Sequence, residues 1–253
     1  MNNNLKLPRW FQKPESNFKM QLFYDATLSA TDTVFSFDKE ESKHIIKVLR
    51  KKDGDILHVT NGLGYLFTTQ ITLASEKNCT VQITQAELQK PLAYQLHLAV
   101  APTKMNDRFE WFLEKATEIG ISEITPILCD HAERKHINLE RFEKVIVSAM
   151  KQSNQCYLPK IHPFTPFSAF VKAERTGQLF VAHCEETERF SLKSKLSPNQ
   201  QTTILIGPEG DFSSSEIQMA LAQNYQPVTL GNTRLRTETA ALAACHSVAF
   251  INQ

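Results

Sequence analysis

Leu230-Gly231-Asn232-Thr233-Arg234-Leu235-Arg236-Thr237-Glu238-Thr239-Ala240 is the stretch on which the reading of this chain turns. It has the grammar of a strand end, a tight polar loop and the start of a helix. Two arginines stand two apart in the loop. An acid and two hydroxyls follow where the helix must begin. Ala240, Ala241, Ala243 and Ala244 make that helix small-sided, so another helix or backbone can approach it closely. A second stretch upstream, Ile206-Gly207-Pro208-Glu209-Gly210-Asp211-Phe212, repeats the strand–loop–helix order. Paired loops at the carboxyl ends of neighbouring strands predict a small-molecule site.

Working outward, the same alternation runs back to Pro91. Strands are expected over 96–101, 124–129, 178–184, 202–207 and 227–231. Helices are expected over 107–119, 139–152, 166–175 and 237–250, with a further one opened by Ser213. Phe109, Phe112, Leu113 and Ala116 fall on one face of the first helix, and Gly120 ends it. Ser213 with Glu216 three residues on is a capping-box arrangement. Alternation of this kind predicts a mostly parallel α/β sheet covered on both faces.

Before Pro91 the pattern changes to short strands over 21–24, 56–60, 65–73 and 79–86. Asp53-Gly54 and Asn61-Gly62-Leu63-Gly64 supply the turns between them. One helix, over 39–50 with Asp38 as N-cap, interrupts the run. Its acids come first and its bases (Lys43, His44, Lys47, Arg50, Lys51) come later, which suits the helix dipole whether or not the basic face meets RNA. Residues 1–19, with three consecutive asparagines, two prolines and unpatterned aromatics, read as a flexible extension. The expected organisation is therefore an extension (1–19), a small β domain (20–90) and an α/β domain (91–253).

The chain has 253 residues and a net charge of +1, so no global basic field announces a nucleic-acid partner. Its five cysteines are odd in number and scattered, without a Cys-x-x-Cys pair, which fits a reducing cytoplasm better than a disulfide framework. No apolar run is long enough to span a membrane. The eight histidines form no HExxH or HxH cluster, so no metal is expected. There is no Gly-x-Ser-x-Gly elbow, no P-loop and no dinucleotide fingerprint. Glu209 reads as a loop acceptor or a ligand contact. Arg234 and Arg236 read either as structural partners of Glu209 and Glu238 or as fixed charges for a phosphate or a developing anion.

The combination of Ile204-Leu205-Ile206-Gly207-Pro208-Glu209-Gly210 with Leu230-Gly231-x-x-x-Leu235-Arg236-x-Glu238-Thr239-Ala240 resembles the RsmE family, the 16S ribosomal RNA uridine-N3 methyltransferases of the SPOUT superfamily. Gln21-Leu22-Phe23-Tyr24, His44-x-x-x-Val48-Leu49-Arg50 and Asp53-Gly54-Asp55 are similar to that family's PUA-like front domain. Lys115-Ala116-Thr117-Glu118-Ile119-Gly120-Ile121, with Lys104 and Arg108, is similar to its first catalytic-domain helix. The resemblance implies a trefoil-knotted SPOUT methyltransferase domain after a small PUA-like β-barrel. It implies an S-adenosyl-L-methionine cofactor, a homodimer, and 16S rRNA of the 30S subunit as partner. It places Leu205, Ile206, Gly207, Glu209, Gly210, Leu230, Gly231, Leu235, Arg236 and Thr239 at the cofactor, Arg236 and Glu238 at the chemistry, and His44, Lys47, Arg50, Arg108 and Arg234 against RNA. The chain departs from the family pattern twice. Asp211 stands where a second glycine is usual, and Lys151-Gln152-Ser153-Asn154-Gln155 replaces a Glu-Gln-Ser-x-Arg run. Two other readings remain open at this point: an inactive RNA-binding assembly factor of the same fold, and a SPOUT enzyme acting on tRNA.

Overall fold

The computed structural model describes residues 20–186 and 188–253; the 1–19 stretch lies outside them. The front of the chain builds a five-stranded sheet from β1 (Leu22–Tyr24), β2 (Val34–Ser36), β3 (Ile56–Thr60), β4 (Tyr65–Leu73) and β5 (Thr80–Leu88), in the spatial order β1-β3-β4-β5-β2. β3, β4 and β5 pair antiparallel; the expected Asn61–Gly64 turn joins β3 to β4, Asp53-Gly54 instead leads into β3, and the β4–β5 connection over 74–79 has no glycine, whereas β1 joins β3 in parallel. Period-two alternation puts Leu57, Val59, Phe67, Ile71 and Val81 into one core. β2 escapes sequence reasoning because three residues are too few to show a period.

The helix expected over 39–50 is shorter and irregular. Asp38 caps it as expected, its Oδ1 accepting from the Glu41 amide at 2.8 Å. After α1 (Lys39–Lys43) the backbone widens into a π turn over His44–Val48, and Arg50 ends the segment with φ at 56°. Ile45, Ile46 and Leu49 still pack on the sheet core, while Val48 is turned out to solvent.

From β6 (Gln95–Val100) onward, strands and helices alternate: α2 (Asn106–Ile119), β7 (Glu123–Leu128), α3 (Leu139–Gln152), β8 (Lys160–Ile161), β9 (Thr165–Pro166), α4 (Phe167–Lys172), β10 (Gln178–Ala182), β11 (Phe190–Ser191), α5 (Leu192–Lys195), β12 (Gln201–Ile206), α6 (Ser214–Ala222), β13 (Gln226–Thr229) and α7 (Thr237–Ile251). The strand order is β11-β13-β10-β12-β6-β7-β8, with β9 also pairing β7, and the pairings are parallel. Leu96, Leu98, Val100, Ile204 and Ile206 face α2, α3 and α7. Ala99, Ile127, Val181 and Leu205 face α4 and α6. The sheet is thus buried on both sides, as a parallel sheet requires. Phe109, Phe112, Leu113 and Ala116 form the buried stripe of α2, and Gly120 closes that helix with φ at 112°. The small side of α7 (Ala241, Ala244, Cys245, Val248) lies in the same core, where their size lets the helix sit close to β6, β12 and α2.

Segment 151–158 ties the two sheets together. The amides of Gly64 and Leu158 donate to the carbonyls of Cys156 and Gly62 at 2.8 and 2.9 Å. Tyr157 Oη donates to Gln89 O at 2.9 Å, and Lys151 pairs with Glu41 at 2.6 Å.

Glu216 does more than cap α6. One carboxylate oxygen accepts from the Ser213 amide at 2.9 Å, and the other accepts from the Asp130 amide of the loop after β7 at 3.0 Å. The residue is buried. Glu216→Ala removes the capping box and strands two donors, so a loss of about 1–3 kcal/mol is expected in urea denaturation. An unchanged midpoint would contradict this double role.

Candidate active site

The carboxyl ends of β10, β12 and β13 open into a cleft of about 1000 Å³. Its walls come from His183, Cys184, Glu185 and Arg189 after β10 and from the loops 207–211 and 229–236. Backbone amides and carbonyls beyond the strand ends have no ladder partners there, which is why ligands of open α/β sheets sit at this edge.

The two stretches singled out in the sequence are joined directly. Thr237 Oγ1 donates to Gly207 O at 3.0 Å, and Arg234 Nη2 to Glu209 O at 3.4 Å. Gly207 is needed for space, since a Cβ there would lie 3.1 Å from both the ring and the amide of Phe212. Gly231 is needed for conformation, since its φ is 144° while the space beside it is open. Asp211 explains its own departure from the family pattern. Its φ is 65°, a conformation that glycine takes freely and aspartate tolerates. Its carboxylate accepts from the Phe212 amide at 2.8 Å and from the Cys184 amide at 2.6 Å, stitching the loop to the chain leaving β10.

Glu209 is a loop acceptor: its Oε1 takes the Lys104 amide at 3.0 Å. Arg134, which sequence reasoning missed, braces the same loop by donating to Thr103 O at 3.0 Å, to Lys104 O at 2.6 Å and to the Asn106 side chain. His131 Nδ1 donates to the carbonyls of Gly210 and Asp211 at 3.2 and 3.1 Å. No local motif marks either residue, because their partners are distant in sequence.

Ile206, Gly207, Glu209, Leu230, Gly231 and Leu235 all reach the cleft, as do both loop arginines. Arg234 and Arg236 are exposed, and neither forms an ion pair with Glu209 or Glu238 among the described residues. The other expected site residues stand off the cleft wall. Strand alternation turns Leu205 into the opposite core. Gly210 faces His131, and Thr239 is exposed on α7. Glu238 is buried in the first turn of α7, one of its carboxylate oxygens without a partner among the described residues. The basic group on the front domain is separate from the cleft: Lys47 pairs with Glu76 at 3.0 Å, His44 faces Glu41 at 3.6 Å, and Arg50 is exposed. Arg108 lies half-buried in the first turn of α2.

The altered 151–155 run has work of its own. Gln155 Nε2 donates to Thr117 O and Glu118 O at 2.7 and 3.1 Å, satisfying carbonyls at the end of α2, while Lys151 makes the bridge to the front sheet.

A half-buried polar cluster also forms on the sheet. His97 of β6, Glu123 of β7 and His162, which follows β8, bring ligand-type atoms within 4.8 Å of one another, which no sequence spacing could show because they come from three separate segments. The groups satisfy each other, with His162 Nε2 2.6 Å from Glu123 Oε2 and His97 Nε2 2.7 Å from Thr125 Oγ1. Burial pushes the His97 pKa down to about 4, against a partial opposing pull from Glu123. The unfolded chain therefore takes up this proton first. The associated stability is whole above the unfolded pKa of about 6.5 and falls by on the order of 3 kcal/mol as pH drops to about 4. Urea midpoints should fall across that window, and His97→Gln should flatten the fall.

A doubly covered parallel sheet with a cleft at its strand ends follows a small β domain, and comparison with known proteins places that arrangement among RNA methyltransferases. Residues 89–249 match the RNA methyltransferase domain profile, and residues 37–84 match the RNA methyltransferase PUA domain profile. The chain is 32% identical over 219 residues to ribosomal RNA small subunit methyltransferase E of Buchnera aphidicola (83% of this chain, 85% of that protein). It is 31% identical over 235 residues to the protein of the same name from Rickettsia conorii (91% and 95%). A probable rRNA-methyltransferase structure from Porphyromonas gingivalis superposes with a TM-score of 0.86 at 38% identity, covering 92% of this chain and 98% of that one. Lpg2936 of Legionella pneumophila, solved with its cofactor SAM bound, gives 0.80 at 25% identity, covering 90% and 96%. The chain belongs to the ribosomal RNA small subunit methyltransferase E family.

Proposed function

We propose that the protein methylates N3 of a uridine in 16S rRNA, using S-adenosylmethionine, and that it works as a cytoplasmic homodimer on the small ribosomal subunit. The observation that carries this reading is the Thr237–Gly207 hydrogen bond, which joins the two loops into one cleft with Arg236 on it. The relatives named ribosomal RNA small subunit methyltransferase E, and the SAM-bound Legionella structure, support methylation of small-subunit rRNA with this cofactor.

The cleft suits that cofactor. Ile206, Leu230 and Leu235 offer apolar surface for a base, and two glycine loops let a ligand approach the backbone closely. When bound, S-adenosylmethionine supplies an electrophilic methyl group. The rest of the task falls to this chain. N3 of a neutral uridine carries a proton and is a poor nucleophile. Arg236 would stabilise the anion spread over N3 and its flanking carbonyl oxygens. Arg234, held against Glu209 O, would position a phosphate. Glu238, buried away from the cleft wall, would act through the first turn of α7, not by touching the base.

The basic group His44, Lys47 and Arg50, with Arg108, would bind RNA backbone. Within this reading the domain boundary falls at 90/91, and the last strand and helix, β13 and α7, thread through a loop to form the trefoil knot. The outward side of α7, where Phe250 is 65% exposed, would meet the second subunit. Among the described residues no helix is long and apolar enough to cross a membrane. Two assays separate the alternatives. Calorimetry with S-adenosylmethionine should show binding, which a pure assembly factor need not do. Labelling of deproteinised 16S rRNA, tRNA and 30S particles in parallel should mark the 16S samples; label in tRNA alone would overturn the substrate assignment.

A further inference from the structure

His183 follows the end of β10, is 4% exposed, and neither of its ring nitrogens has a hydrogen-bond partner among the described residues. Such groups are rare, because a buried polar atom without a partner destabilises the fold. The residue lines the cleft. The peptide that follows it is held at both its polar atoms: Arg189 Nη1 donates to His183 O at 2.6 Å, and the Cys184 amide donates to Asp211 Oδ2 at 2.6 Å. Burial lowers the pKa of the ring, offset in part by Asp211. The imidazole is therefore neutral at neutral pH, with one N–H donor and one lone-pair acceptor.

We propose that His183 is a ligand-contacting residue of the cleft that hydrogen-bonds the nucleoside portion of the bound cofactor. This rests on the cofactor reading above and goes further by assigning one end of the ligand to one side chain. A neutral imidazole presents one donor and one acceptor, the pattern that a ribose hydroxyl or the edge of adenine complements. Ala182, Ile206 and Val228 beside it at the strand ends give the apolar surroundings a base needs. Glu185, Arg189 and Asp211 also line this side of the cleft; the two carboxylates suit ribose hydroxyls and disfavour a carboxylate end of the ligand, while Arg189 is turned to the His183 carbonyl.

The test uses the full chain and two probes: S-adenosylhomocysteine, and methylthioadenosine, which keeps the nucleoside and lacks the amino-acid end. In calorimetry His183→Leu should weaken both by a similar factor, roughly tenfold or more. His183→Gln, which keeps a donor and an acceptor, should recover part of the loss. The ligand-free thermal midpoint of His183→Leu should equal or exceed that of the wild type, because the unpartnered nitrogens are gone. Unchanged affinity in His183→Leu, with or without a lower midpoint, marks a packing role and overturns the proposal. Weakening of S-adenosylhomocysteine alone overturns the nucleoside assignment. A wild-type protein that binds neither probe overturns the cofactor reading itself, a failure distinguishable from the other two.

Discussion

Arg236→Ala is expected to lower methyl transfer by on the order of 10²–10³-fold, with cofactor affinity changed far less. The residue precedes α7 in extended backbone (φ −71°, ψ 157°), so its side chain leaves from the loop instead of from a helix face. It is exposed on the cleft and free of any ion pair among the described residues, so its charge is not already neutralised. Its role exists only when negative charge develops on the uridine, which is why turnover should suffer and ground-state binding should not. Arg236→Lys should restore little, because a compact ammonium cannot fork across N3 and a neighbouring oxygen. Single-turnover methylation beside calorimetry with S-adenosylhomocysteine reads the two effects separately. Near-normal turnover in the alanine variant would show that the charge serves something else.

Gly207→Val is expected to abolish measurable cofactor binding and to destabilise the fold. The first added carbon already meets the Phe212 ring and amide at 3.1 Å, and valine adds two methyl groups at the same point. Phe212 is buried against Phe167, their ring centroids 5.3 Å apart, so it cannot yield freely. Overpacking of this kind costs about 1–3 kcal/mol. Gly207 O also accepts the Thr237 hydroxyl, so any shift of this backbone loosens the tie between the two loops. The thermal midpoint and the affinity for S-adenosylhomocysteine should fall together. A variant that lost stability but bound normally would place the ligand elsewhere.

Much of this architecture is legible in the chain because its signals are local. Ser213 with Glu216 announces the start of α6, Gly120 the end of α2, and Asp38 the start of α1. The long periodic helices and the central strands are where the hydrophobic pattern places them. β2, β8, β9 and β11 are not legible, because two or three residues carry no period and form only when a neighbour offers an edge. The π turn at His44–Val48 is equally hidden, since the residues that pack on the core there also suit an ordinary helix.

The site divides the same way. Its two loops are visible as motifs, but what holds them is not. Arg134 reaches residues some thirty positions away, and Asp211 joins Cys184 across 27 positions. His183 offers no motif at all; only its burial and its unpartnered nitrogens single it out. Glu238 sits in the motif yet turns inward, because the helix that begins at Thr237 rotates each following side chain by a fixed angle and carries the second position into the core.

The central claim is that the joined 207 and 231 loops carry out methylation of a uridine in 16S rRNA. Mass mapping of 16S rRNA after incubation with the protein and methyl-labelled S-adenosylmethionine tests it most directly. One labelled uridine is expected, methylated on the base at N3, and the label is lost with Arg236→Ala. Label on another base or on ribose, or in an RNA other than 16S, would contradict it.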